Sequence, residues 1–266
     1  MIIAQISDLH VKPPERLAYD VVDTAAYLRR AVARLNALEP LPDLVLATGD
    51  LVDGGKPEEY AHLRELTAAL EPPLYLVVGN HDDRDALRGA FSDHGYLPRE
   101  GPLCYVLETP LRIVVLDATR PGYAGGEMDA GRLAWLEHAL VGERRPTVIA
   151  LHHPPFASGI APMDEDVFFG RAAFEEAVAR HPHVERVLCG HLHRTMTTRF
   201  GGTIASVCTS TAHQLVLAAH PPLQFTLEPP ALHLHRWDGQ RLITDVVPID
   251  GDRRPYPFRR DGRLIE

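Results

Sequence analysis

Ile2-Ile3-Ala4-Gln5-Ile6-Ser7-Asp8-Leu9-His10 opens the chain with a short, mostly apolar run that ends in an acid and an imidazole two residues apart. A brief apolar run bounded by polar residues reads as a buried strand. Side chains two apart on an extended segment point the same way, so Asp8 and His10 can grip one ion. The pattern recurs. Gly49-Asp50, Gly79-Asn80-His81-Asp82, His152-His153-Pro154 and Gly190-His191-Leu192-His193 lie mostly behind strand-like runs at 44–47, 74–78, 147–151 and 186–188. Strand ends are where an α/β sheet gathers its loops into one site.

Helical patterns separate the early strands. Residues 21–38 carry apolar side chains at Val21, Val22, Ala25, Leu28, Val32 and Leu35, close to a 3.6-residue period. Pro57-Glu58-Glu59 suits a helix start, where the missing N–H and the dipole favour proline and acids. Residues 129–141 and 170–180 read as further helices. A hairpin is expected over 103–116, and two strands over 195–207 with Gly201-Gly202 as the turn. Parallel strands early and antiparallel ones later predict an α/β (α+β) chain: two mixed sheets packed face to face, with helices outside. Residues 1–250 read as one domain. Within it, 215–235 carries Pro221-Pro222 and Pro229-Pro230 and reads as a small arm, cap or subunit contact. Residues 251–266 read as a surface tail.

A length of 266 residues with 45% hydrophobic composition supports one substantial core. Lys and Arg number 27 against 36 Asp and Glu, a net charge of −9, which weighs against a nucleic-acid polymer as partner. The three cysteines, Cys104, Cys189 and Cys208, form no CxxC pair, and their odd number argues against a disulfide framework. No basic leader precedes the first strand and no apolar run reaches membrane-spanning length. A cytoplasmic protein without a membrane partner is expected.

Each cluster is commonplace alone, as a turn, a cap or a surface pair. Their order and placement together point to a metal centre. Asp50 could bridge two ions through its two oxygens, and Asn80 offers a neutral carbonyl. His152, His191 and His193 add imidazoles. Hard oxygen with borderline nitrogen, and no thiolate, suits Mn, Fe, Co or Zn. Cys189 reads as a small buried apolar residue. For Asp53, exposure or helix capping is favoured over contact with a ligand. The histidines outside the clusters, among them His62, His94, His138, His181, His183, His220, His233 and His235, read as solvated or structural.

Asp-x-His, Gly-Asp, Gly-Asn-His, His and Gly-His-x-His over residues 8–193 resemble the motifs of the calcineurin-like metallophosphoesterase superfamily. Within it the chain is most similar to the class III cyclic nucleotide phosphodiesterase and bacterial glycerophosphodiesterase branch. The residues that carry this are Ile6-Ser7-Asp8-Leu9-His10, Pro57-Glu58-Glu59-Tyr60, Gly79-Asn80-His81-Asp82-Asp83, His152-His153-Pro154-Pro155 with Met163-Asp164, and Thr211-Ala212-His213-Gln214. The resemblance implies a four-layer αββα sandwich. It implies one ion on Asp8, His10, Asp50 and His193, and another on Asp50, Asn80, His152 and His191, with His153 the runner-up to His152. Two such ions acidify a shared water, and the hydroxide attacks phosphorus in line with the leaving alkoxide. His81 would then donate to a phosphoryl oxygen or protonate the leaving oxygen, and His213 matches a second family histidine near the substrate. The implied substrates are small phosphodiesters, 3′,5′-cyclic nucleotides or glycerophosphodiesters. A phosphomonoesterase and a metal-poor scaffold are the alternatives. The related branch builds subunit contacts from the arm, so a homo-oligomer, dimer or higher, is implied. Asp at position 53, where purple acid phosphatases need Tyr, speaks against that type of site.

Overall fold

The structure is a computed structural model that describes residues 1–217, 222–251, 254–260 and 263–264. Along the chain run β1 (Ile2–Ile6), α1 (Thr24–Asn36), β2 (Leu44–Thr48), α2 (Pro57–Thr67), β3 (Leu74–Val77), α3 (Arg84–Ala90), β4 (Tyr105–Leu107) and β5 (Arg112–Val115). Next come β6 (Thr119–Arg120), β7 (Tyr123–Gly126), α4 (Ala130–Leu140), β8 (Thr147–Ala150), α5 (Ala161–Asp164), α6 (Arg171–Ala179), β9 (Val184–Cys189), β10 (Met196–Phe200) and β11 (Thr203–Val207). The pair β12 (Gln214–Leu215) and β13 (Phe225–Thr226) precedes the long hairpin β14 (Ala231–Trp237) and β15 (Leu242–Pro248).

Two mixed sheets result, in the orders β15-β14-β1-β2-β3 and β10-β11-β9-β8-β5-β4. The parallel neighbours are β1, β2 and β3 in the first sheet, and β5, β8, β9 and β11 in the second. Strand alternation sorts the core into three layers. Ala4, Ile6, Val45, Ala47 and Leu76 face α1 and α2, whereas Ile3, Leu44, Leu46 and Val77 meet Ile113, Val115, Val148, Ala150 and Leu188 of the other sheet. On the far side Val114, Ile149, Val187 and Cys189 pack against Leu136 of α4 and Phe174 of α6. Helix, sheet, sheet, helix is the order expected from the resemblance.

One polar side chain interrupts the layer between the sheets. Gln5 donates to Thr48 Oγ1 and to the Cys189 carbonyl, each at 2.9 Å, and its Oε1 lies 3.0 Å from His235 Nε2. Its amide joins β2 of one sheet to β9 of the other, directly beneath the loops that carry Asp50 and His191. The network is fully buried and its members satisfy one another, which favours one fixed spacing of the sheets.

Two expectations need correction. Helix α1 begins at Thr24, because the Asp23 carboxylate accepts from the Ala26 amide and caps it there. The expected arm is shorter than 215–235. Residues 231–235 belong to β14, which pairs antiparallel with β1. Leu232 and Leu234 face the first helical layer while His233 and His235 turn inward, 1% and 0% exposed. The remainder of the expected arm folds back as the β12–β13 pair, with 218–221, including His220 and Pro221, outside the described residues. Parts of the expected tail also lie outside them.

Candidate metal centre

Asp8 and His10 follow β1, Asp50 follows β2, and Asn80 and His81 follow β3. From the other sheet, His152 follows β8, and His191 and His193 follow β9. All leave the carboxyl ends of parallel strands, so two sheets converge on one place. The loops are bound to each other by their backbones: Asp8 N donates to Gly49 O and His10 N to Asp50 O, both at 3.0 Å.

The loops take unusual conformations to do this. Asp8, His10, Asp50, His191 and His193 have φ of 52°, 45°, 47°, 72° and 48°. An L residue in the left-handed region costs about 1–2 kcal/mol, and such outliers gather at functional sites. Two motif glycines are required by close approach. A Cβ on Gly79 would run into the amide and carboxylate of Asp50, and one on Gly190 would meet the Ser7 hydroxyl and, at 2.9 Å, Asp8 Oδ2.

The donor atoms lie close together. His193 Nε2 is 3.4 Å from Asp8 Oδ1 and 3.2 Å from His10 Nε2, while His10 Nε2 is 3.8 Å from Asp50 Oδ2. The same oxygen, Asp50 Oδ2, is 3.3 Å from His152 Nε2. Asp8, His10, Asp50, His152 and His193 are at most 5% exposed. The rings are steered from behind. Nδ1 of His152 donates to Thr48 O at 2.8 Å and Nδ1 of His193 to His213 O at 2.9 Å, which leaves each Nε2 lone pair for the centre.

Do these residues fit metal ions? Asn80 Oδ1 is buried and has no hydrogen-bond partner, and His152 Nε2 has none beyond the 3.3 Å approach of Asp50 Oδ2. Buried polar atoms are almost always paired, so both fit a bound cation. Among the described residues, Asp8/His10/Asp50 and His152/His153/His191 are groups whose donor atoms are close enough to share an ion. The electrostatics agree. Burial by itself would raise the Asp50 carboxyl, but the surrounding imidazoles, His152 first and then His81 and His10, together outweigh it and hold the group well below the usual range. Burial likewise opposes charge on His152, yet Asp50 raises its pKa to about 9. Burial, reinforced by His152, lowers His191 to about 3. The protein has placed two buried carboxylates where they demand positive charge, beside an imidazole that stays neutral.

Other predicted residues stand nearby. His81 N donates to Asp50 Oδ1 at 2.9 Å, and its ring Nδ1 donates to Asp53 O at 2.8 Å, leaving Nε2 4.0 Å from Asp50 Oδ2. Burial disfavours its charged form, but Asp50, the Asp53 carbonyl and the Asp53 carboxylate together outweigh this and raise its pKa. His213 packs its ring 4.5 Å from that of His193, and burial lowers its pKa to about 2. His153 holds Ala124 O through Nε2 at 3.0 Å, with its ring centroid 4.8 Å from that of His191. Cys189 is fully buried and its thiol pKa is pushed up, in keeping with a packing role.

Asp53 corrects the sequence reading. It is neither free nor a helix cap: its carboxylate lies 3.1 Å from His10 Nδ1, and Glu59 instead reaches back to the Lys56 amide at the start of α2. Sequence reasoning also gave no role to Asp82. This half-buried carboxylate accepts from the amides of Leu51 and Gly79 and from the Tyr60 hydroxyl, and so clamps the Asp50 loop to the Asn80 loop. Burial raises its pKa to about 7. Of the histidines set aside, His62, His233 and His235 are buried and structural.

Over the centre lies a cavity of about 370 Å³. Its floor is His10, Asp50, Asn80, His191 and His193, and its wall includes Tyr19, Met163, His213 and Phe225. The rings of Tyr19, His213 and Phe225 stand 5.2 Å apart from one another. No Lys or Arg is among the described lining residues.

A double mixed sheet with Asp, Asn and His converging at its strand ends defines a metal-dependent hydrolase of phosphoric esters. The chain belongs to the calcineurin-like phosphoesterase family, whose model matches residues 1–195. It is 35% identical, over the full length of both, to a probable glycerophosphodiester phosphodiesterase of Arcobacter nitrofigilis. It is 37% identical to a cAMP/cGMP dual specificity phosphodiesterase of Mycobacterium tuberculosis, over 80% of this chain and 68% of the relative. A dimetal phosphatase from Danio rerio shares the fold with a TM-score of 0.69 at 15% identity, covering 94% of this chain and 96% of that one. Among the described residues no helix is long and apolar enough to cross a membrane.

Proposed function

We propose that this enzyme is a binuclear phosphodiesterase for small diesters, namely 3′,5′-cyclic nucleotides and glycerophosphodiesters. The observation that carries the reading is the buried carboxylate Asp50 with two polar atoms beside it, Asn80 Oδ1, buried without a hydrogen-bond partner, and His152 Nε2, whose near polar neighbour is Asp50 Oδ2 at 3.3 Å. Asp8, His10, Asp50 and His193 would hold one ion, and Asp50, Asn80, His152 and His191 the other, drawn from Fe, Mn, Co or Zn. When bound, two such cations polarise phosphoryl oxygens and acidify water near neutral pH. The chain's own side chains do the rest. His81, its Nδ1 proton engaged by Asp53 O, presents Nε2 to a phosphoryl or leaving oxygen. His213, with Tyr19 and Phe225, walls the leaving group.

The wall favours diesters over monoesters. A monoester brings about two negative charges, a diester one, and no described Lys or Arg lines the cavity to meet the second. The names of the relatives favour both diester classes. The proposal includes action in the cytoplasm and a homo-oligomer, dimer or higher, built through the arm. Leu217, Leu223 and Leu227 there are 67%, 46% and 51% exposed.

The test is a panel of cyclic AMP, glycerophosphoethanolamine and a phosphomonoester on protein reconstituted with Mn or Co. Turnover of either diester above the monoester is expected. A monoester preference, or fewer than about one ion per chain, would overturn the reading in favour of a phosphomonoesterase or a scaffold. His81→Ala should keep its ions and lose about 10²-fold or more in rate, and loss of metal from that variant would remove its assigned role. Sedimentation would report a monomer if the arm makes no contact between copies.

A further inference from the structure

One carboxylate outside the proposed ligand set touches both kinds of working histidine. Asp53 Oδ1 lies 3.1 Å from His10 Nδ1 and 3.9 Å from His81 Nδ1. Its Oδ2 is 2.7 Å from Lys12 Nζ, and its backbone carbonyl accepts the His81 Nδ1 proton at 2.8 Å. The backbone is clamped in turn. Asp53 N donates to Val11 O at 3.2 Å, and Val11 N to Leu51 O at 3.2 Å, so the loops after β1 and β2 run side by side. Lys12 is itself anchored, because its carbonyl accepts from buried His62 Nδ1 at 2.7 Å.

A ligating imidazole binds through one nitrogen and is steered through the other. His152 and His193 are steered by backbone carbonyls, those of Thr48 and His213, which no side-chain change removes. His10 is steered by a side chain, and that side chain is held by a third. The chain Lys12, Asp53, His10 therefore reaches the centre from outside it, while Asp53 O fixes the ring of His81 on the loop after β3.

We infer that Asp53, locked by Lys12, is a positioning residue that aims His10 at the first ion and keeps His81 in register with it. This rests on the two-ion reading above. Carboxylate partners of ligating histidines are worth about 10–100-fold in metal affinity, and the effect on Asp53 should fall on the first ion alone.

The experiment is chelator competition on metal-free protein without substrate, on wild type, Asp53→Ala, Asp53→Asn, Lys12→Met and Asp53→Ala with Lys12→Met. A thermal melt of each variant accompanies it. Asp53→Ala should weaken the first ion by about 10–100-fold and leave the second near wild type. Lys12→Met should weaken the same ion by less. The double variant should match Asp53→Ala, because a lysine that acts through Asp53 has nothing to act on without it. His81→Ala should cost the same factor in rate with or without the Asp53 carboxylate, since its partner is a backbone oxygen. If Asp53→Ala does not fold, Asp53→Asn and Lys12→Met carry the same comparison. Wild-type affinities in the folded variants, equal losses at both ions, or additive effects in the double variant would each overturn the inference. Ion binding without diester turnover would sink the functional reading and leave this one standing.

Discussion

The two sheets bring different chemistry to the centre. The first, through Asp8, His10, Asp50 and Asn80, supplies all of the oxygen donors. The second, through His152, His191 and His193, supplies imidazoles only. The oxygen side carries formal charge with exposure of only 0% at Asp8 and 3% at Asp50, where a lone carboxylate is costly. On the nitrogen side burial lowers His191, whereas Asp50 raises His152. In the proposed assignment each ion draws donors from both sheets. The difference teaches that bound cations would act twice, as reagents and as ties across the inter-sheet layer.

The sharpest way to break this comparison is Asp50→Asn, which weakens the donor shared by both proposed ions. Loss of both ions and a fall in turnover of about 10³-fold or more are expected, checked by metal analysis and diester assay. Retention of both ions would move the bridge elsewhere.

Metal removal tests the tie. An ion at about a thousand times its Kd adds about 4 kcal/mol, and a domain of this size shifts about 2–4 °C per kcal/mol. Chelation should therefore lower Tm by roughly 10 °C for a tightly held ion. An unchanged melting curve would mean that the sheets are joined by packing alone.

The smallest effect lies in the layer between the sheets. Burial lowers His233 to about 4, and it lowers His235 well below the usual value. Both stay neutral in the fold while the unfolded chain takes up protons near pH 6.5. Their contribution is complete above about pH 6.5 and is lost as pH falls toward 4. His235→Gln should flatten the decline of unfolding free energy over that window, read by urea titration of metal-free protein at several pH values. An unaltered slope would show that His235 takes no part in it.

The centre was legible because ligand chemistry at strand ends leaves few residue choices, and because the motif spacing is short. Asp8 with His10, and His191 with His193, announce themselves two residues apart. Asp53 did not, since its partner His10 lies 43 positions away and its own neighbourhood reads as a turn. Strand β14 was hidden for a related reason. Its Leu-His-Leu-His alternation has the strand period, but both histidines face a buried polar network that only tertiary structure creates. The four layers, by contrast, were expected from the resemblance and from parallel strands early and antiparallel ones later, and in the structure one face of β1, β2, β8 and β9 meets helices while the other meets a sheet.

Gln5 separates two problems that evolution could otherwise solve only together. Its amide fixes the spacing of the sheets from below, out of reach of the cavity wall formed by Tyr19, His213 and Phe225. The wall can therefore drift, lengthen or exchange its residues while the foundation stays put. A lineage built this way can change what it cleaves without relearning how to cleave.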